Sequence, residues 1–499
     1  MRDKEAAMAY NKRKGYAADY YIYDTTNRYK NIFSFNNIAL NSPDLLKITR
    51  SGRMITGYDA NFISPARFAR LYERTEPMEY KDFGGNTEDD AEDWLYPVSA
   101  QDTESLAAWT DYKLGVTKEA PLGQIYRNPY FKDDMFYYPD ELLGGVSVFT
   151  RNAGTGEFGF RKLLLPAEDK KDMFVNIPDY LYKMKKAEGS IHYIICNAWT
   201  LDSTHIGMSY SLPRIYMEDP TSLVYYNQPC ILSRRADNLA EDSCTVFDFE
   251  PYLGKYMFQH FQFSSTGDKI IIGLIKDTWP TETPTEEYKG KTDIDPFMDG
   301  FYDTDNPIMA AFDRRTGKLV QTFGHLDDVA RKTLTGYYFT DMLSVVGGGE
   351  LAYTDSYSGK VYVADTADIA REKACYEAFS IDEKLLPPAD TAKFYSYAAP
   401  KAYRGVFCRM VSDMRITPDR LYCVIAYGDM SDMEDRRTDY TYLVIDRKTG
   451  ARREYLYPKT VEGYTVFTRG LREEGGKVMP FMVLKGDGGE ALLRVYSVE

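Results

Sequence analysis

Histidine is scarce, with four residues in 499, and His192, His205, His260 and His325 are scattered along the chain. A zinc protease needs two histidines four residues apart on one helix face, so that chemistry is excluded. Cysteine is thinly spread too. Cys196, Cys230, Cys244, Cys375, Cys408 and Cys423 form no C-x-x-C pair, which argues against a zinc ribbon or a thioredoxin-like centre. Buried thiols are the expectation, with Cys408 and Cys423 able to face each other on neighbouring strands. There is no G-x-S-x-G elbow, and no stretch approaches the roughly 18 apolar residues of a membrane span. Positive charge is also in deficit. Against 75 Asp and Glu stand 61 Lys and Arg, leaving a net charge of -14 that repels phosphate backbones and anionic lipid. No nucleic-acid partner, membrane span, cofactor or metal is therefore expected.

What the chain has is tyrosine, 43 residues of it, and a recurring local pattern. Six times a β-rich run meets a tight turn and a second β-rich run follows. The turns are Arg50-Ser51-Gly52-Arg53, Leu201-Asp202-Ser203-Thr204, Thr266-Gly267-Asp268-Lys269, Gly347-Gly348-Gly349-Glu350, Thr417-Pro418-Asp419-Arg420 and Glu474-Gly475-Gly476-Lys477. Gly, Asp and Pro meet the backbone demands of a hairpin that β-branched residues do not. Repeated antiparallel units on this scale predict an all-β, six-bladed β-propeller, with seven as the alternative count. Closed architectures of this kind exceed ordinary domain size, so residues 1–499 are read as a single propeller domain.

The units fall at roughly 37–165, 190–250, 255–330, 337–385, 402–458 and 463–499. Within them, Asp313-Arg314-Arg315-Thr316-Gly317 and Asp446-Arg447-Lys448-Thr449-Gly450 are near copies between apolar runs. Their glycines lie 133 residues apart, about three times the 40 to 45 residues of a common blade repeat. The last unit stops at a third strand, so an N-terminal strand is expected to close the ring, with Tyr29–Phe35 as the candidate. Two insertions interrupt the pattern. Residues 61–145 include a helix-compatible piece, 102–109, that Asp102 or Thr103 would cap. Residues 276–306 form a polar loop punctuated by Pro280, Pro284 and Pro296. Long excursions from a rigid ring are where binding concentrates, although a plain surface excursion is the bland alternative.

Candidate chemistry is sparse. Gly154, Gly156 and Gly159 spell G-x-G-x-x-G, but the string opens no helix and reads as a hairpin turn. Gly290-Lys291-Thr292 resembles the end of a P-loop whose first glycine position holds Thr285, so no phosphate cradle is expected. The most suggestive group is Asp293, Asp295, Asp299, Tyr302 and Asp303 in the second insertion, with Trp279 ahead of it. Clustered carboxylates can ligate Ca²⁺ and aromatic faces can stack on sugars, but Phe297 stands at the third ligand position of an EF-hand-like register. A solvated acidic loop is the plainer reading. His260 sits on an inner-strand candidate, where a structural histidine is the default. Asp429, Asp432, Glu434 and Asp435 form a second acidic run, read as solvating a loop.

The blade grammar, tyrosine-rich strands, Asp-Arg-x-Thr-Gly turns and acidic balance together resemble the six-bladed, TolB-like β-propellers of unassigned function from Bacteroidetes. Many of those are predicted envelope lipoproteins, and the likeness covers most of residues 30–499. It implies a non-catalytic binding or interaction protein of the bacterial cell envelope, with a protein or glycan partner and a periplasmic or cell-surface location once a signal is removed. The chain departs from that group in showing no signal or lipobox cysteine, because Met1–Met8 carry charge where a signal would carry an apolar core. A cytoplasmic interaction hub is the alternative location. The alternative function is a propeller enzyme acting on carbohydrate, a hydrolase or lyase using carboxylates gathered at the axial mouth.

Overall fold

The computed structural model describes residues 103–117, 122, 129–132, 134–140, 143–167, 173–187, 194–219, 222–248, 256–276, 296, 298–337, 340–381, 408–427, 439–486 and 488–498. Alternation of apolar and polar residues, broken by glycine-bearing turns, makes these segments strands. Gly267, Gly348 and Gly475 each hold positive φ, at 58°, 60° and 58°, in the turns that join a first strand to a second. A side chain with a Cβ resists that conformation.

Among the described residues the strands form six four-stranded antiparallel units. They are Tyr130–Lys132, Met135–Asp140, Gly145–Arg151 and Phe158–Leu164; Ile194–Thr200, His205–Asp219, Ser222–Arg235 and Glu241–Val246; Tyr256–Thr266, Lys269–Lys276, Met309–Asp313 and Leu319–Phe323; Leu343–Gly347, Glu350–Thr354, Lys360–Asp365 and Asp368–Glu377; Arg409–Ile416, Arg420–Tyr427, Asp439–Asp446 and Arg452–Leu456; and Tyr464–Glu474, Lys477–Gly486, Ala491–Ser497 and Ala108–Gly115. The first strand of each unit packs on the first strand of the next, and the sixth returns to the first. The architecture is a β-propeller. Its apolar core is divided among the seams, with one cluster of buried residues between each pair of neighbouring units. Burying one Leu, Ile or Phe side chain contributes about 1.5–3 kcal/mol, so each seam is a substantial adhesive surface.

An N-terminal strand does close the last unit, but it is Ala108–Gly115 that lies antiparallel to Ala491–Ser497. Tyr29–Phe35, the segment expected in that role, lies outside the described residues. Residues 102–109 also differ from expectation. Glu104–Ser105 adds in parallel to Arg452–Leu456 of the fifth unit, and the chain then crosses to the sixth as a strand. Pairing with a waiting sheet edge outweighs the local cap signal, because short helices are marginal without tertiary support. Arg494 fastens the closure. Its Nε and Nη2 donate to Asp111 Oδ1 and Oδ2 at 2.7 and 2.8 Å, while its guanidinium lies 4.6 Å from the Trp109 ring. The first unit accordingly begins at Tyr130, far inside the span expected for it.

The G-x-G-x-x-G string is a hairpin turn. Asn152 Oδ1 accepts from the amides of Gly154 and Thr155, and Gly156 takes φ 75°. Cys408 and Cys423 do not face each other. Cys423 is opposite Met414 and Leu443, whereas Cys408 precedes Arg409, which is opposite Tyr427. Cys423 is a free thiol, as is Cys375.

The near-copy turns occupy the same place in the third and fifth units, between third and fourth strands. They are two units apart, since the long connections stretch the repeat. In each, the aspartate gathers the loop: Asp313 Oδ1 accepts from Thr316 N at 2.6 Å and Thr316 Oγ1 at 2.7 Å, and Asp446 Oδ1 from Thr449 N and Oγ1, both at 2.7 Å. The arginine that follows reaches back across a seam. Arg314 Nη2 donates to Asp202 of the second unit at 2.8 Å, and Arg447 Nη1 to Glu350 of the fourth at 2.6 Å. The repeated pattern is thus a clasp between neighbouring units.

Candidate binding face

Because strand direction alternates, the turns between first and second strands and between third and fourth strands leave one face of the ring. Connections between second and third strands, and those between units, leave the other. The first face is trimmed to tight turns. The second carries the long connections 277–308 and 428–438 and a projecting hairpin.

That hairpin is made by His205–Asp219 and Ser222–Arg235, of 15 and 14 residues. Among the described residues the first strand of the unit covers it from Ile206 to Ser211, and the fourth from Cys230 to Arg234. Its outer half runs beyond both, by about 25 Å at the rise of an extended strand. Among the described residues one short segment, Val175–Asn176, lies parallel to it at Ile215–Tyr216. The connection that supplies this segment continues into the helix Asp179–Ala187 and exposes apolar groups, with Tyr180 70% and Met173 44% exposed. Asp179 in the first turn of that helix and Lys185 and Lys186 in the last complement its dipole.

Of the residues singled out in the sequence, Asp299, Tyr302 and Asp303 share the short 3-10 helix Asp299–Asp303 on this face. Trp279, Asp293 and Asp295 lie outside the described residues, as does the acidic run 429–435. His260 lies in Tyr256–Thr266, with its side chain outside what is described. Arg331, on the helix Asp328–Thr333, engages both described carboxylates. Its Nε and Nη2 donate to the two Asp299 oxygens at 2.8 Å each, and Nη1 donates to Asp303 Oδ1 at 2.9 Å. The guanidinium holds the Asp299 carboxyl below the usual range. Tyr302 is used structurally as well, its hydroxyl accepting from Gly336 N at 3.0 Å while its ring meets buried Phe301 edge-on. Met298 remains exposed at the tip. Among the described residues no group of three His, Cys, Asp or Glu side chains is placed to hold a metal ion.

Behind this edge lies a buried polar layer that the sequence did not announce. Asp327 caps the helix Asp328–Thr333 through Val329 N, accepts from Tyr362 Oη at 3.1 Å and pairs with Lys360 at 2.7 Å. Asp355 accepts from Ser358 N at 2.8 Å, and burial pushes its carboxyl up to about 6. Near the axis, Asp413 accepts from Arg415 Nη1 at 2.6 Å and from Leu471 N at 2.9 Å, tying the fifth unit to the sixth. Burial raises the Asp413 carboxyl, opposed by Arg415 and by the amides of Leu471 and Met414. Tyr130 bonds Thr200 across the seam between first and second units. These axial groups are committed to joining units.

No protein-family model matches the sequence, and no curated protein matches it. Solved structures similar to it include a member of the DUF4221 family from Bacteroides vulgatus, with TM-score 0.40 and 10% identity over 80% of this chain and 99% of that one. A Bacteroides fragilis protein described as exported has TM-score 0.40 and 10% identity over 80% of this chain and 98% of that one. The Pan2 WD40 domain of Neurospora crassa follows, with TM-score 0.32 and 8% identity over 80% and 98%. No helix among the described residues is long and apolar enough to cross a membrane.

Proposed function

We propose that this chain is a non-catalytic binding protein, a TolB-like propeller of the bacterial cell envelope that takes a protein partner on its insertion face. The hairpin of the second unit carries the reading. A ring of packed sheets supplies a rigid base, and the arm that outruns its flanking strands is rooted in it by buried Leu212 and Ile215. Among the described residues no strand pairs with the outer edge of Ser222–Gln228, and an open edge of this length offers backbone donors and acceptors to an extended segment of a partner. Exposed Tyr180 and Met173 beside the arm supply apolar anchors of the kind that interfaces bury. The envelope location is supported by the resemblance of the turns and tyrosine-rich strands to that propeller family.

The test is photo-crosslinking in cells from positions 180 and 216, followed by fractionation. A discrete adduct in the envelope fraction is expected, lost from position 180 when 213–227 is replaced by a two-residue Asn-Gly turn that keeps Leu212 opposite Gln228 and leaves the ring folded. Adducts that persist without the arm, or a protein confined to the cytosol, would overturn the proposal.

A further inference from the structure

Between the second and third units, on the trimmed face, lies a cleft of about 450 Å³, within the size range of small-molecule sites. It is held open between two fasteners. At one end Arg314 grips Asp202, which also accepts from Thr204 and lies 3.0 Å from His205 Nδ1. Partial burial opposes the charge, but the bonds from Thr204, Arg314 and His205 hold the Asp202 carboxyl well below its usual range. At the other end Gly317 O accepts from Asp248 N at 2.8 Å, and the glycine backbone lies so close that a Cβ would sit 1.8 Å from Val246 O.

The wall is a ladder of hydroxyls. Ser233 pairs directly with Ser243, and Ile231 with Thr245, so all four point to the third unit. Ser233 is 5% exposed, and its Oγ has no hydrogen-bond partner. That hydroxyl makes no hydrogen bond within the protein, so a polar group entering beside it would meet a donor and acceptor not already in use. Leu201 and Ile231 form an apolar floor, while Asp268 and Arg315 stand exposed at the mouth.

The sister seam shows that the void is not forced by the architecture. Counted from the end of the third strand, Val361, Val363, Ala374 and Tyr376 of the fourth unit occupy the positions of Ile231, Ser233, Ser243 and Thr245. There Tyr376 fills the space, lying 5.6 Å under Arg447 and accepting from its Nε at 3.3 Å.

We propose that the cleft between the second and third units binds a monosaccharide bearing an oxyanion, a carboxylate or a phosphate. Ser233, Ser243 and Thr245 meet sugar hydroxyls, Asp268 accepts from another, the floor takes the C–H face of the ring, and Arg315 meets the charge. This site is separate from the hairpin face and does not depend on it. Calorimetric titration with glucuronate, glucose 6-phosphate and glucose tests it. Both charged sugars are expected to bind more tightly than glucose, the better of the two identifying the oxyanion. Arg315→Gln, an exposed change, should weaken them about tenfold and remove the preference. Thr245→Tyr should abolish binding while the melting temperature is kept. Heat from none of the three sugars, equal affinity for glucose, or binding untouched by both substitutions overturns the proposal.

Discussion

The seam between the second and third units and the seam between the fourth and fifth are built on one plan and finished differently. Both are drawn together by an arginine one residue after the loop-forming aspartate. At the fourth-to-fifth seam Arg447 and Glu350 are buried, with side chains 8% and 9% exposed, and Tyr376 closes the gap. At the second-to-third seam Arg314 and Asp202 are 26% and 35% exposed, and serine and threonine leave the gap open. The same backbone device therefore serves adhesion in one place and spares room in another. The side chains opposite the clasp decide which.

The two glycines that end these turns give the sharpest contrast. Gly317→Ala places a Cβ against Val246 O at φ 69°, whereas at Gly450, with φ 73°, nothing lies within 4 Å. The first should cost about 4 kcal/mol and the second about 1 kcal/mol in urea denaturation. Equal losses would mean that the open seam contributes nothing to holding the ring. Next come the clasps themselves. Arg447→Met leaves Glu350 buried with only Lys373 beside it and should cost about 3 kcal/mol, against under about 1 kcal/mol for Arg314→Met. A reversed order would sink the assignment of adhesive and open seams.

The third contrast concerns pH. The closed seam carries a flaw, because Asp355 is buried beside Ser356, whose carbonyl accepts from Val411 N of the fifth unit at 2.9 Å. Its carboxyl is raised from 3.8 to about 6, so the folded state holds that proton more tightly than the unfolded chain. Stability therefore falls as pH rises from about 4 to about 6. Asp355→Asn should remove that slope and gain roughly 2 to 3 kcal/mol at pH 7.5 with little change at pH 4. Parallel stability profiles for the two proteins across that range would refute it.

The propeller and five of its hairpin turns were legible because glycine, proline and aspartate report a local backbone requirement, as Gly267 and Gly348 do. The closing strand was not. Ala107, Ala108 and Trp109 after Asp102 and Thr103 resemble a capped helix, and only the edge of Ala491–Ser497, far along the chain, makes them a strand. The Asp-Arg-basic-Thr-Gly copies were visible, but the partners of Arg314 and Arg447 lie 112 and 97 residues away and belong to another unit. The hydroxyl ladder was hidden for the same reason. Ser233 and Ser243 become neighbours only through the register of two strands, and no sequence pattern states that a tyrosine is missing opposite them. In the second insertion the carboxylates were visible, whereas Arg331, which neutralises two of them, sits on a helix 28 and 32 residues downstream.

Asp111 and Arg494 meet across 383 positions of sequence. During synthesis from the amino terminus, the first of these waits while the 383 positions up to the second leave the ribosome. The intermediate is an open crescent with one sheet a strand short, and long-range closure of this kind is slow relative to local hairpin formation. A protease acting on the nascent chain, or heat acting on the finished one, is expected to find its gate at that joint. Relocating the ends to another tight turn would move the gate with them.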